Sequence, residues 1–271
     1  MRPLRAIAFA VALVLLAGAC SRLTFIKPSM GSRDYEDLTP DYQFRDTPDT
    51  RRRTEVRGHL ALATSALQRG MLDEAVKEAK AALEIDKGSA DANTLLAVAE
   101  DRRGNTAQAG GYYARAAELA PRQGAALNNY GAWLCGNGRQ AESLAWFDRA
   151  LADPAYRQRA SALANAGACA LQAGQTAHVE RNLREALSLD PVDATALAAM
   201  AEYQYRNGRY MDARAFSQRR LAAAPATPDA LVLASQIEEK LGDRAAAARY
   251  VQRLRAEFPQ SGLVPSGDSS Q

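Results

Sequence analysis

Six glycines, Gly70, Gly104, Gly138, Gly174, Gly208 and Gly242, fall 34, 34, 36, 34 and 34 residues apart along a chain of 271 residues. A near-constant period of this length means that one supersecondary unit recurs, each copy burying its apolar face against its neighbours. Five residues beyond each glycine stands Ala75, Ala109, Ser143, Val179, Ala213 or Ala247, small in all but the fourth case. Twelve beyond stands Ala82, Ala116, Ala150, Ala186, Arg220 or Leu254, and seventeen beyond stands Lys87, Pro121, Ala155, Pro191, Pro225 or Pro259. Glycine suits the left-handed residue that closes a helix, proline cannot continue one, and small side chains between them let helices approach closely. The spacing therefore predicts, in each unit, a helix A, a turn at the glycine and a helix B that stops before the proline. With 47% apolar but only 7% aromatic residues, Ala and Leu must supply most of the buried surface, as in closely packed helices.

The pattern resembles the tetratricopeptide repeat. The resemblance implies an all-α fold, a right-handed superhelical solenoid of six helix-turn-helix units over residues 56–261. The units are 56–89, 90–123, 124–159, 160–193, 194–227 and 228–261, or 206 of the 271 residues. In the third unit Tyr130 and Gly131 stand at the seventh and eighth positions, where the family prefers Leu and Gly. The two extra residues of that unit, near Asp153-Pro154-Ala155-Tyr156-Arg157, fall in the loop between repeats, where insertions cost least. The polar tail 262–271 is expected to be frayed and disordered.

Ahead of the repeats, residues 1–19 read as an export signal: Arg2 and Arg5 precede an apolar run, residues 6–16, too short for the ~20 residues of a membrane span. Leu16-Ala17-Gly18-Ala19-Cys20 resembles the lipobox of bacterial lipoproteins, although the place usually held by Leu carries Ala17. That resemblance implies that Cys20 becomes an acylated N-terminus, and Ser21 after it resembles outer-membrane sorting. A plain secretory signal, with Cys20 incidental, is the alternative. Residues 20–55 carry Pro28, Pro40 and Pro48, many charges and no sustained helical period, so they are expected to form a lipidated N-terminus and flexible tether. Within it Tyr35, Tyr42 and Phe44 could dock on the repeats, and Arg51-Arg52-Arg53 could touch anionic head groups; both features are more often merely solvated.

A solenoid of this kind is a binding scaffold whose A helices line a concave channel. Taking the second, fifth, ninth and twelfth positions of each unit as inward-facing selects Arg57, Leu60, Thr64 and Leu67 in the first unit. The same rule gives Asp91, Thr94, Val98 and Asp101 in the second, Ala125, Asn128, Ala132 and Cys135 in the third, and Ser161, Ala164, Ala168 and Leu171 in the fourth. Of these, Leu60, Thr64, Leu67, Val98, Asn128 and Leu171 are the candidate partner contacts. This N-terminal and central stretch is mild and rather apolar, suited to an apolar or amphipathic segment of a partner. The last two units are more polar, with Glu202, Tyr205, Asp229 and Glu239. Packing of the first-unit leucines on the tether or an end cap is the competing reading. The ninth positions, Thr64, Val98, Ala132, Ala168, Glu202 and Gln236, do not make a clamp of Asn and basic residues for a chaperone tail.

Removing Arg2 and Arg5 with the signal leaves 32 Lys and Arg against 31 Asp and Glu, from 34 and 31 in the whole chain, so bulk charge gives no reason to expect nucleic-acid binding. Two His and three Cys supply neither a metal site nor a cofactor site. With Cys20 acylated, Cys135 and Cys169 remain as an even pair in an oxidising compartment, on neighbouring A helices and 34 residues apart. A disulfide and two reduced core thiols both fit, since they sit at the twelfth and tenth positions of their units. Neither His59, at a packed position, nor His178, at the start of a helix B, has an evident partner or lies beside Cys135 as a base. Gly110-Gly111 lies inside a helix B and reads as close packing rather than a phosphate loop. No enzyme is expected.

The lipoprotein-like signal, the tether, the six repeats and two phrases together resemble the type IV pilus biogenesis and stability lipoproteins of the PilW/PilF pilotin family. The phrases are Asn128-Asn129-Tyr130-Gly131 with Cys135, and Ala164-Asn165-Ala166-Gly167 with Cys169. The resemblance implies a monomeric pilotin, anchored by its N-terminal lipid to the outer membrane and facing the periplasm. It also implies binding to secretin subunits, with help in their outer-membrane localisation and multimerisation. Asn129 and Asn165 share the sixth repeat position and are expected to bond between helices. The alternatives are a tetratricopeptide-repeat lipoprotein serving outer-membrane protein assembly, an adaptor for a periplasmic protease, and a peptidoglycan-associated structural role.

Overall fold

Twelve α-helices and no strand make up residues 47–261, the part of the chain that the computed structural model describes. In order they are α1 (Pro48–Gln68), α2 (Leu72–Ile85), α3 (Ala90–Arg102), α4 (Thr106–Leu119), α5 (Gly124–Gly136), α6 (Gln140–Leu151), α7 (Arg159–Gln172), α8 (Thr176–Leu189), α9 (Ala194–Arg206), α10 (Tyr210–Ala223), α11 (Pro228–Lys240) and α12 (Arg244–Glu257). Odd-numbered helices are the A helices and even-numbered ones the B helices of six antiparallel pairs, stacked as a right-handed superhelix.

The glycine period has a direct backbone cause. Gly70, Gly104, Gly138, Gly174, Gly208 and Gly242 all adopt φ between 71° and 82°, a region that costs an L side chain energy and glycine little. The residue after each glycine then donates its N–H back to the carbonyl five residues earlier, as in Met71 to Ala66 at 2.9 Å and Gln175 to Ala170 at 2.8 Å. That bond satisfies a carbonyl otherwise orphaned at the end of the A helix. N-caps complete several helices: the side chains of Thr47, Ser89, Asp193, Thr227 and Asp243 accept from the backbone three residues on.

The first helix starts at Pro48, inside the stretch expected to be tether. Thr47 accepts from the Thr50 N–H at 3.1 Å, Pro48 sits where its missing N–H is harmless, and Asp49 places a carboxylate against the positive end of the helix. Arg52 and Arg53 ion-pair with Asp49 at 3.7 Å and 2.7 Å, on an exposed helical surface. Cys20, the signal segment, most of the expected tether and the tail 262–271 lie outside the described residues.

Between the helices, the small residues behave as their spacing requires. Ala75, Ala109, Ser143 and Ala213 are fully buried, as are Ala82, Ala150 and Ala186. Val179 is fully buried too, in a core cluster with Leu163, Leu183 and Met200. A Cβ on Gly167 would fall 2.5 Å from Leu183 Cδ2, and one on Gly131 would fall 3.0 Å from Phe147 Cε1. Gly110 is constrained in the same way by the Trp133 ring, 2.3 Å from its would-be Cβ, while Gly111 meets nothing.

The two-residue insertion is ordered and contributes packing. Asp153 accepts from the backbone N–H of Gly124 and of Ala155, both at 2.9 Å, and Tyr156 folds in, 6% exposed, over Gly124. The close approach, 2.5 Å from a would-be Gly124 Cβ to the Tyr156 ring, is what selects glycine at the start of α5.

Candidate partner-binding groove

The A helices α1, α3, α5, α7, α9 and α11 carry the side chains expected to face the concave channel, and the structure sorts them by depth. Leu60 is half-buried, packed on Val56, Ala82 and Ala92. Thr64 is exposed, its hydroxyl donating to the Leu60 carbonyl at 2.8 Å. Val98 is half-buried where the cores of the first and second inter-repeat contacts meet.

Three of the six residues chosen from the sequence are instead core. Leu67 is 6% exposed among Ala63, Ala75 and Leu96; Leu171 is 4% exposed among Val179, Leu183 and Met200; Asn128 is 8% exposed. The twelfth position lies in the last turn of helix A, and the neighbouring A helix reaches over that turn. Arg102 donates to the Leu67 carbonyl at 2.7 Å, and Arg206 to the Leu171 carbonyl at 3.4 Å. Asn128 Oδ1 accepts from Asn165 Nδ2 at 3.2 Å, joining α5 to α7. The interhelical bond expected for Asn129 and Asn165 therefore runs through Asn128.

The same two helices are joined covalently. Cys135 on α5 and Cys169 on α7 form a disulfide with Cα atoms 5.9 Å apart, and both residues are buried. Asn128, Cys135 and Ala164 are buried along the middle of the channel, and clefts open towards its two ends.

The N-terminal cleft, about 560 Å³, lies between the overhanging first turns of α1 and the start of α3; its walls include Arg53, Val56, Arg57, Leu60, Asp86 and Asp91. It is an apolar floor rimmed by both signs of charge, and half of one wall is the helix extension absent from the repeat pattern. Towards the C-terminus lie two adjoining clefts of about 290 Å³ and 590 Å³ that share Ala198, Glu202 and Arg220. Leu171 and Thr195 line the first; Tyr205, Val232 and Leu233 line the second. In sequence this half stands out as the more polar one, through Glu202, Tyr205, Asp229 and Glu239. Its available signal was Arg220, a large cation at a repeat position held by buried alanines in four other units.

Both histidines have partners, contrary to expectation. His59 Nδ1 lies 2.7 Å from Glu78 Oε2, tying α1 to α2, and His178 Nδ1 lies 2.9 Å from Arg181 Nη2. Shifted ionisations belong to packing rather than to a reaction centre. Burial, with Asp101 nearby, pushes the Tyr113 phenol up to about 12, and the Arg184 hydrogen bond holds the Glu180 carboxyl below its usual range. Among the described residues no group of His, Cys, Asp and Glu converges as a metal site, and no helix is long and apolar enough to cross a membrane.

No protein-family model matches the chain. PilF of Pseudomonas aeruginosa, a type IV pilus assembly protein, is 29% identical over 203 residues, 75% of this chain and 81% of PilF. The crystal structure of PilW, described as a widely conserved type IV pilus biogenesis factor, superposes with a TM-score of 0.69 at 28% identity, covering 77% of this chain and 96% of PilW. The solved Pseudomonas aeruginosa PilF gives the same TM-score of 0.69 at 27% identity, covering 79% of this chain and 96% of that one. Similarity of sequence and of structure thus runs through the repeats together, and the chain is a tetratricopeptide-repeat homologue of the type IV pilus proteins PilF and PilW.

Proposed function

We propose that this chain is a pilotin: an outer-membrane lipoprotein, monomeric and facing the periplasm, that binds secretin subunits and promotes their outer-membrane localisation and multimerisation for type IV pilus biogenesis. The observation that carries the reading is the likeness to PilF and PilW over most of each chain. The lipobox-like run ending in Cys20 and an open apolar cleft at the N-terminal end of the channel support it. The lipid supplies location and the groove supplies recognition; tethering one to the other raises the effective concentration of the groove where secretin must assemble.

The two parts are separable, and each has its own expected result. Cys20→Ala leaves a folded repeat domain that no longer fractionates with membranes and takes up no labelled palmitate. Palmitate incorporation equal to wild type would remove the lipid anchor from the account. In the N-terminal cleft, Leu60→Asp sets a carboxylate in an apolar contact and is expected to weaken binding of purified secretin subunits at least ~100-fold. The melting temperature should fall by less than in Leu67→Asp, because only part of the Leu60 side chain packs on Val56, Ala82 and Ala92. Undiminished secretin binding by this variant would move recognition away from the first repeat.

A further inference from the structure

We propose that the C-terminal half of the channel is a second recognition site, for an extended peptide with an acidic side chain flanked by aliphatic ones, and that Arg220 is the residue that binds the carboxylate.

Arg220 occupies the repeat position at which Ala82, Ala116, Ala150 and Ala186 are buried against the next A helix. An arginine there cannot stay inside the α10/α11 contact, and its partly buried side chain reaches the channel, where it borders both C-terminal clefts. Its Nη1 donates to the carbonyls of Ala224 and Pro225, at 3.2 Å and 3.1 Å, which fixes the guanidinium beyond the end of α10. No carboxylate among the described residues pairs with it, and Nε and Nη2 have no acceptor. A guanidinium held by one nitrogen, with its remaining edge free, is pre-organised for a carboxylate.

Its surroundings select the rest of the ligand. Of the two acids that line these clefts, Glu202 is already paired with Arg206 and Asp229 makes no ion pair with Arg220, so neither neutralises it. Ala168 borders one cleft, Val232 and Leu233 border the other, and Ala198 lines both, giving apolar contacts to both flanks of the bound carboxylate. Because the clefts continue past Arg220 in both directions, a chain end is not required, and an internal Asp or Glu fits better than a terminal carboxylate. The inference uses the channel as a partner surface but does not require the partner to be secretin.

The test uses the full mature chain and two blocked synthetic peptides, one with a central aspartate between valines and one with asparagine in its place. Calorimetric titration is expected to show the aspartate peptide binding at least ~10-fold tighter, a preference that weakens with salt and disappears in Arg220→Ala. Alanine is the residue that other repeats carry here, so the variant should fold, which circular-dichroism melting checks. Arg219→Ala, which removes a donor to the Pro191 carbonyl, should leave the preference intact. A third peptide, neutral except for a free C-terminal carboxylate, should bind no better than the asparagine peptide. Equal binding of the first two peptides, failure of both to bind, or an aspartate preference that survives in folded Arg220→Ala would reduce Arg220 to a cap on α10 and overturn the site. None of these readings involves secretin, so the pilotin proposal stands or falls separately.

Discussion

Leu67→Ala is expected to lower stability by about 2–5 kcal/mol, the usual cost of a cavity left by a truncated core leucine. The side chain is 6% exposed and packs with Ala63, Ala66, Ala75 and Leu96, residues too small or too constrained to collapse into the space. For a concerted transition in a chain of this size the cost corresponds to a fall of roughly 4–20 °C in melting temperature. A solenoid need not respond as one body, because each repeat is held only by its neighbours. Loss at Leu67 should therefore appear first as faster amide exchange in α1, α2 and α3, with α7 to α12 little changed. Leu60→Ala, at a half-buried site, should do markedly less. If Leu67→Ala melts and exchanges like wild type, the first repeat is packed differently from the arrangement described.

The contrast between Leu60 and Leu67 marks where sequence periodicity stops being sufficient. A three- or four-residue spacing puts both on one face of α1, but depth on that face depends on what the neighbouring helix sends across. Arg102, reaching the Leu67 carbonyl, belongs to another unit and leaves no trace in the spacing of the first. The turns were legible for the opposite reason. A left-handed φ at six regular positions is a backbone requirement, and glycine answers it locally. The early start of α1 was also written locally, in Thr47-Pro48-Asp49, and was masked by taking proline as a mark of extended chain rather than of a first helical turn. Tyr156 over Gly124 and Asn165 on Asn128 are contacts between units and could not be read from either unit alone. Arg220 was visible only as a break in a column of small residues, and what it borders became clear with the clefts.

Removing the Cys135–Cys169 bridge should rank with the core truncation in its effect. The bridge closes a sequence separation of 34 residues, for which the chain-entropy account gives a contribution of about 3–4 kcal/mol. Cys135→Ser with Cys169→Ser should therefore lower the melting temperature by several degrees or more, and reductant should do the same to wild type without affecting the double variant. The loss should centre on α5 to α8, since the bridge pins the third repeat to the fourth beside the Asn128–Asn165 bond. Mass spectrometry of periplasmic material is expected to find no free thiol at either position. Two free thiols there, or a wild-type melting curve indifferent to reductant, would contradict a stabilising bridge.

The central claim is that a lipid-tethered repeat groove brings secretin subunits to the outer membrane and assembles them there. Its most direct measurement is the amount of heat-resistant secretin multimer in outer-membrane fractions from cells with the chain, without it, and with Leu60→Asp at wild-type abundance. The account predicts abundant multimer in the first, monomer left behind in other fractions in the second, and an assembly defect in the third. Equal multimer in outer membranes with and without the chain would contradict it.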